Sequence, residues 1–122
     1  MVFLGGGLGS LSRYWMISLL AKNFRDAFPF GTLAVNVLGS FLIGLIIESA
    51  SLKWNISVEM RMFLVTGFLG GFTTFSAFSL DFYKLTEADQ ALFAFTYVLA
   101  SVFLSLAAVF SGVYMIRLAV SQ

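Results

Sequence analysis

The side chains able to handle an ion stand at helical spacing. Thr32, Asn36 and Ser40 fall at i, i+4 and i+8, and Tyr97, Ser101 and Ser105 repeat that interval, so each set occupies one helix face. A face of hydroxyls and an amide within apolar sequence can replace the water around an ion. It can equally be a packing contact, because Ser and Thr bond the carbonyl one turn back and small polar residues are common between membrane helices. Asn36 is harder to place that way, since its own helix does not easily satisfy a carboxamide; it needs a pore or a partner. Phe75 and Phe78 stand three residues apart. An aromatic ring has an electropositive edge, so two rings turned edge-on to a narrow path would hold a small anion without a full charge that would trap it. The chain has 15 Phe, and most of these must serve lipid or core packing. Arg13 is the fixed charge deepest in an apolar run; it either attracts anions from a water-filled vestibule or snorkels to the interface.

Composition limits what else these residues could do. The 122 residues are 60% hydrophobic and 11% charged, with mean hydropathy +0.97, far from soluble composition. At roughly 20 residues per crossing there is room for four helical spans and short loops, and none for a separate soluble catalytic domain. The absence of Cys and His removes disulfides, thiol nucleophiles, zinc sites and imidazole chemistry, so no enzyme activity is expected. A net charge of +1 offers no basic patch for nucleic acid. Gly5-Gly6-Gly7-Leu8-Gly9 completes no phosphate-loop pattern and reads as close helix packing.

The elements that must position these groups are four apolar runs, at about 2–20, 30–47, 62–80 and 91–116, forming one transmembrane domain over 1–122. Met1 to Leu4 carries no basic side chain, so the first run reads as a retained span and not a cleaved leader. Lys22, Arg25, Asp26 and Pro29 close the first run; Glu48 through Arg61 separates the second from the third; Asp81, Lys84, Glu87 and Asp89 suggest a polar hairpin before the fourth. Lys53, Arg61 and Arg117 on the side of the termini balance Lys22, Arg25 and Lys84 on the other. Charge therefore favours neither orientation, which fits either one weakly biased topology or insertion both ways as an antiparallel homodimer. The third run contains Gly67, Gly70, Gly71, Thr73 and Thr74, a composition that weakens a helix at mid-span. A break there would free carbonyls for an ion, as in discontinuous transporter helices; alternatively, Gly67 and Gly71 form a small-residue packing face.

Three motifs in order, Gly5-Gly-Gly-Leu-Gly-Ser-Leu-Ser-Arg13-Tyr14, Gly31-Thr-Leu-Ala-Val-Asn36-Val-Leu-Gly39-Ser-Phe and Gly67-Phe-Leu-Gly-Gly-Phe-Thr-Thr-Phe-Ser-Ala-Phe78, resemble the Fluc (CrcB) family of microbial fluoride channels along nearly the whole chain. That resemblance implies an all-α membrane protein with four transmembrane helices per subunit, the third broken near its middle. It further implies an antiparallel dual-topology homodimer with two pores in the bacterial inner membrane, exporting fluoride passively. By motif, Asn36, Phe75 and Phe78 correspond to the pore amide and phenylalanine pair, and Thr32, Tyr97, Ser101 and Ser105 to a polar track. Gly70 and Thr73 would offer backbone carbonyls to a structural sodium ion at the dimer centre, with no organic cofactor. Ala77 departs from the pattern, since the family commonly has Thr before the second phenylalanine.

Two other functions compete. A small four-helix proton-coupled multidrug or guanidinium exporter needs a membrane-embedded carboxylate, whereas Glu48 and Asp81 are expected at span ends. A non-transporting assembly protein would use its glycines for packing alone and pass no ions.

Overall fold

The computed structural model describes residues 1–23, 28–52 and 55–121; the loop charges Arg25, Asp26 and Lys53 lie outside them. The described elements are helices: α1 (Val2–Asn23), α2 (Phe30–Leu52), α3 (Val58–Arg61), a π-helical segment Met62–Leu69, α4 (Gly70–Phe72), α5 (Phe75–Glu87) and α6 (Ala91–Val120). Ser57 starts α3 by accepting the Met60 amide at 3.1 Å. By length and composition, Phe30–Leu52, Val58–Glu87 and Ala91–Val120 are apolar enough to cross a membrane. Helix α1 has 22 residues but carries Gly5, Gly6, Gly7, Gly9, Ser10, Ser12 and Ser18, which dilute its apolarity.

Those glycines set how the helices meet. A Cβ on Gly9 would strike the Phe68 carbonyl and one on Gly5 the Phe63 carbonyl, so α1 lies backbone to backbone against the π segment. Gly71 closes the same seam, its hypothetical Cβ only 2.5 Å from the Gly6 carbonyl. The Gly5–Gly9 stretch is therefore a packing surface, and so is the Gly67/Gly71 face opposite it. The second seam joins α2 and α6, where Gly44 abuts the Val109 carbonyl and Gly112 the Phe41 carbonyl. Residue numbers rise together along both seams, so the helices of each pair run in the same direction. At the C-terminal end of the second seam, Arg117 Nε donates to Glu48 Oε1 at 3.1 Å.

One expectation needs correcting. Asp81, Lys84 and Glu87 do not belong to a hairpin; they are helical, and the turn is confined to 88–90. The reason is a second periodicity beneath the charges. Phe78, Phe82 and Leu85 fall at i, i+4 and i+7 and pack with Ala94 and Tyr97 of α6. Asp81 consequently sits within α5 and not at its end. Elsewhere large apolar side chains such as Phe3, Leu11, Tyr14, Phe95, Phe103 and Leu118 are exposed along α1 and α6, an exterior suited to lipid or another protein surface.

The α2–α6 seam gives a direct test. Gly44→Ala and Gly112→Ala each place a methyl group on a backbone carbonyl. Each should destabilise the fold by about 1–3 kcal/mol and lower the thermal midpoint in detergent followed by circular dichroism. Gly7→Ala meets nothing within 4 Å and should leave that midpoint unchanged or raise it. Equal midpoints for all three variants would contradict the packing described.

Candidate functional site

Helical geometry stops at Phe72 and resumes at Phe75. Between them Thr73 (φ −88°, ψ 158°) and Thr74 (φ −153°, ψ 122°) are extended. Local chemistry supports this pair. Thr73 Oγ1 donates to the Leu69 carbonyl at 2.9 Å, and Thr74 Oγ1 accepts the Ala77 amide at 3.0 Å as the N-cap of α5. Gly39 of α2 lets the chain approach here, because a Cβ on it would strike the Thr73 methyl. From the next turn of α2, Asn36 reaches the Thr74 backbone twice. Its Nδ2 donates to the Thr74 carbonyl at 3.0 Å, and its Oδ1 accepts the Thr74 amide at 2.7 Å. One carboxamide thus meets both backbone polar groups of Thr74, whose backbone is extended. One Nδ2 hydrogen remains available.

The interruption redirects two helical hydrogen bonds. In an unbroken helix the Thr74 amide would return to the Gly70 carbonyl and the Ala77 amide to the Thr73 carbonyl. Here those amides go to Asn36 Oδ1 and Thr74 Oγ1 instead. Neither carbonyl receives its usual partner.

Beside the interruption lies a cavity of about 470 Å³ between α2, the third helical stretch and α6. Its wall includes Asn36, Ser40, Gly70, Thr73, Thr74, Phe75, Phe78, Ser101 and Ser105, and among the described residues no charged side chain contributes to it. The rings of Phe75 and Phe78 have centroids 5.4 Å apart at 53°, and Phe75 is 78% exposed. Ser101 Oγ is buried without a hydrogen-bond partner, a polar atom aligned with Ser105 one turn on. Such a wall offers an amide hydrogen, hydroxyls and ring edges within an otherwise apolar surface, enough to stabilise a small ion weakly.

The structure brings together five of the expected pore residues and separates two. Asn36, Phe75, Phe78, Ser101 and Ser105 share the cavity. Thr32 and Tyr97 do not line it; they are 6% and 0% exposed and lie on the same helix faces nearer the α5–α6 core. The Tyr97 ring packs on Phe78 with centroids 5.1 Å apart, and its hydroxyl donates to Asp81 Oδ2 at 3.1 Å. Arg13 is half-buried on α1, away from the cavity wall. Gly70 and Thr73, the expected carbonyl donors, both border the cavity. Sequence reasoning missed Gly39, Thr74 and Asp81. Thr74 carried a readable signal, a threonine between a Gly-Gly pair and a helical run; Asp81 carried none, because its partner is 16 residues away.

Comparison with known proteins agrees on one family. The family described as CrcB-like protein, Camphor Resistance (CrcB), matches residues 1–113. The protein named fluoride-specific ion channel FluC of Rhizobium etli (strain CFN 42) is 51% identical over 117 residues, covering 96% of this chain and 94% of its own. Proteins of the same name are similar in Agrobacterium fabrum (strain C58), at 52% over 116 residues, and Rhizobium meliloti (strain 1021), at 51% over 113. They cover 92% and 93% of this chain, and 90% of their own length in both cases. The motifs on either side of the Thr73–Thr74 interruption and the extent of these matches lead to one conclusion: the chain belongs to the CrcB-like family.

Proposed function

We propose that this chain is the subunit of a fluoride-selective channel, and not an enzyme, passing fluoride passively out of the cytoplasm. The observation that carries the reading is the cavity wall, which gathers Asn36, Phe75, Phe78, Ser101 and Ser105 and, among the described residues, includes no formal charge. Relatives sharing about half of the sequence are named for that activity. The free Nδ2 hydrogen of Asn36, the edges of the two rings and the serine hydroxyls replace the ion's water; Tyr97 backs the Phe78 ring without lining the cavity, and Arg13 draws anions into a vestibule. Fluoride trapped after HF ionises in neutral cytoplasm is driven out by the membrane potential, worth about 2.3 kcal/mol per charge per 100 mV. No coupled proton is needed.

In this reading α1 supplies a fourth crossing, the third crossing is a discontinuous helix, and two copies pair antiparallel in the bacterial inner membrane as a dimer with two pores. A structural sodium ion belongs at the dimer centre. Its fit rests on donor chemistry: the Gly70 and Thr73 carbonyls have lost their helical partners, and hard cations take such oxygens. When bound, the ion would neutralise those oxygen dipoles where two copies meet. The exporter reading is not favoured, because Glu48 is paired with Arg117 and Asp81 accepts the Tyr97 hydroxyl.

Proteoliposomes with a fluoride electrode test the function. The protein should release fluoride and retain chloride. Phe75→Ile combined with Phe78→Ile should slow fluoride roughly tenfold, the loss of about 1.4 kcal/mol of ring-edge stabilisation. No flux from the parent protein would reject the channel in favour of an assembly role, and undiminished flux from the double variant would reject the aromatic path. The sodium proposal has its own test. Exchanging Na+ for N-methyl-D-glucamine should lower the thermal midpoint in a concentration-dependent way, as expected for an ion that binds only the folded state. A midpoint indifferent to Na+ would exclude it.

A further inference from the structure

We infer that Asn36 is a positioning residue for the interruption itself: its carboxamide acts as a substitute peptide that holds Thr74 out of the helix, and thereby keeps the Gly70 carbonyl open. The geometry is reciprocal. Nδ2 donates to the Thr74 carbonyl at 3.0 Å while Oδ1 accepts the Thr74 amide at 2.7 Å, across 38 residues of sequence. This is the reciprocal pairing that two residues make in an antiparallel sheet, here made with one side chain. Its acceptor half has a direct competitor. The Thr74 amide would otherwise bond the Gly70 carbonyl and extend α4, so each amide captured by Oδ1 is one carbonyl released. The donor half lowers the cost of unwinding by giving the Thr74 carbonyl a side-chain donor within an apolar wall.

The consequence is a coupling between two sites on either side of Thr74. The same carboxamide that offers its last hydrogen to the cavity determines whether Gly70 is available to a cation. Only the cation part rests on the sodium reading above; the control of Thr74 conformation stands without it. Gly39, one turn along α2, completes the device by admitting Thr73 close to the helix.

NMR of the full-length protein in lipid nanodiscs tests this. In the unsubstituted protein, Thr74 should show strand-like carbon shifts and an amide that exchanges about tenfold or more slowly than an unbonded one. Asn36→Ala should move those shifts towards helical or coil values and weaken the dependence of the thermal midpoint on Na+ by about tenfold in apparent affinity. Asn36→Asp supplies a rescue that a purely ion-contacting role does not predict. As a neutral acid it can accept the Thr74 amide and donate to the Thr74 carbonyl, whereas as a carboxylate it can only accept. The named cavity wall contains no titratable side chain to confuse this readout. Strand-like Thr74 shifts should therefore be strongest in Asn36→Asp below its carboxyl pKa and weaken above it, where the amide acceptor is kept but the Thr74 carbonyl loses its donor and faces a carboxylate. An unprotected Thr74 amide in the parent, or unchanged Thr74 shifts in both variants, would overturn the proposal. If Asn36→Ala does not fold, the parent exchange rate and the pH response of Asn36→Asp decide. Loss of parent fluoride flux with the Thr74 results intact would instead refute the channel reading and leave the positioning role standing.

Discussion

A helix inside apolar surroundings can stop only where something else takes up its peptide groups, and in this chain that something is largely one side chain. Asn36 meets both backbone polar atoms of Thr74, the Thr74 hydroxyl meets the Ala77 amide in the first turn of α5, and Thr73 returns its hydroxyl to Leu69. With these bonds in place the chain turns from α4 into α5 without leaving the Thr74 peptide groups unmet. Phe75 and Phe78 begin the new helix, so their position at the cavity follows from where the old one ended. Moving the interruption by one residue would rotate both rings by about 100° around the helix.

The rest of the molecule keeps this arrangement in register. Glycines on two seams bring α1 against the π segment and α2 against α6 at backbone distance, which fixes Asn36 opposite Thr74 and the α6 serines opposite the rings. The resulting wall is neutral. For an anion this is useful, because a formal positive charge in a medium of low dielectric would bind too tightly for rapid release, whereas ring edges and single hydrogen-bond donors are individually weak. Charges are kept at a distance: Arg117 is held by Glu48 at the ends of α2 and α6, and Asp81 engages Tyr97 behind Phe78.

Helical spacing made most of this legible from residue types alone. The Thr32-Asn36-Ser40 and Tyr97-Ser101-Ser105 faces exist as read, because a period of 3.6 is intrinsic to the backbone. Spacing does not reveal depth, however, and Thr32 and Tyr97 lie buried against the α5–α6 core where Phe78, Leu85 and Ala94 gather. The need of Asn36 for a partner was equally readable. Its identity was not, since a contact spanning 38 residues depends on how the two seams pack. The Asp81–Glu87 stretch resembled a loop because its charges are dense, yet Phe78, Phe82 and Leu85 carry the helix through it. The glycines of α1 both create a seam and dilute its apolarity, which is why α1 has the length of a membrane span but is not among the helices apolar enough for one.

On the proposed function, dipoles and not charges receive the ion at this cavity. An experimental structure determined in lipid with fluoride as the principal anion tests it most directly. The expected result is fluoride density beside Asn36 and the ring edges of Phe75 and Phe78, within an aqueous path continuous with Ser101 and Ser105. Both rings and Asn36 packed against acyl chains, with no conduit beside them, would contradict it.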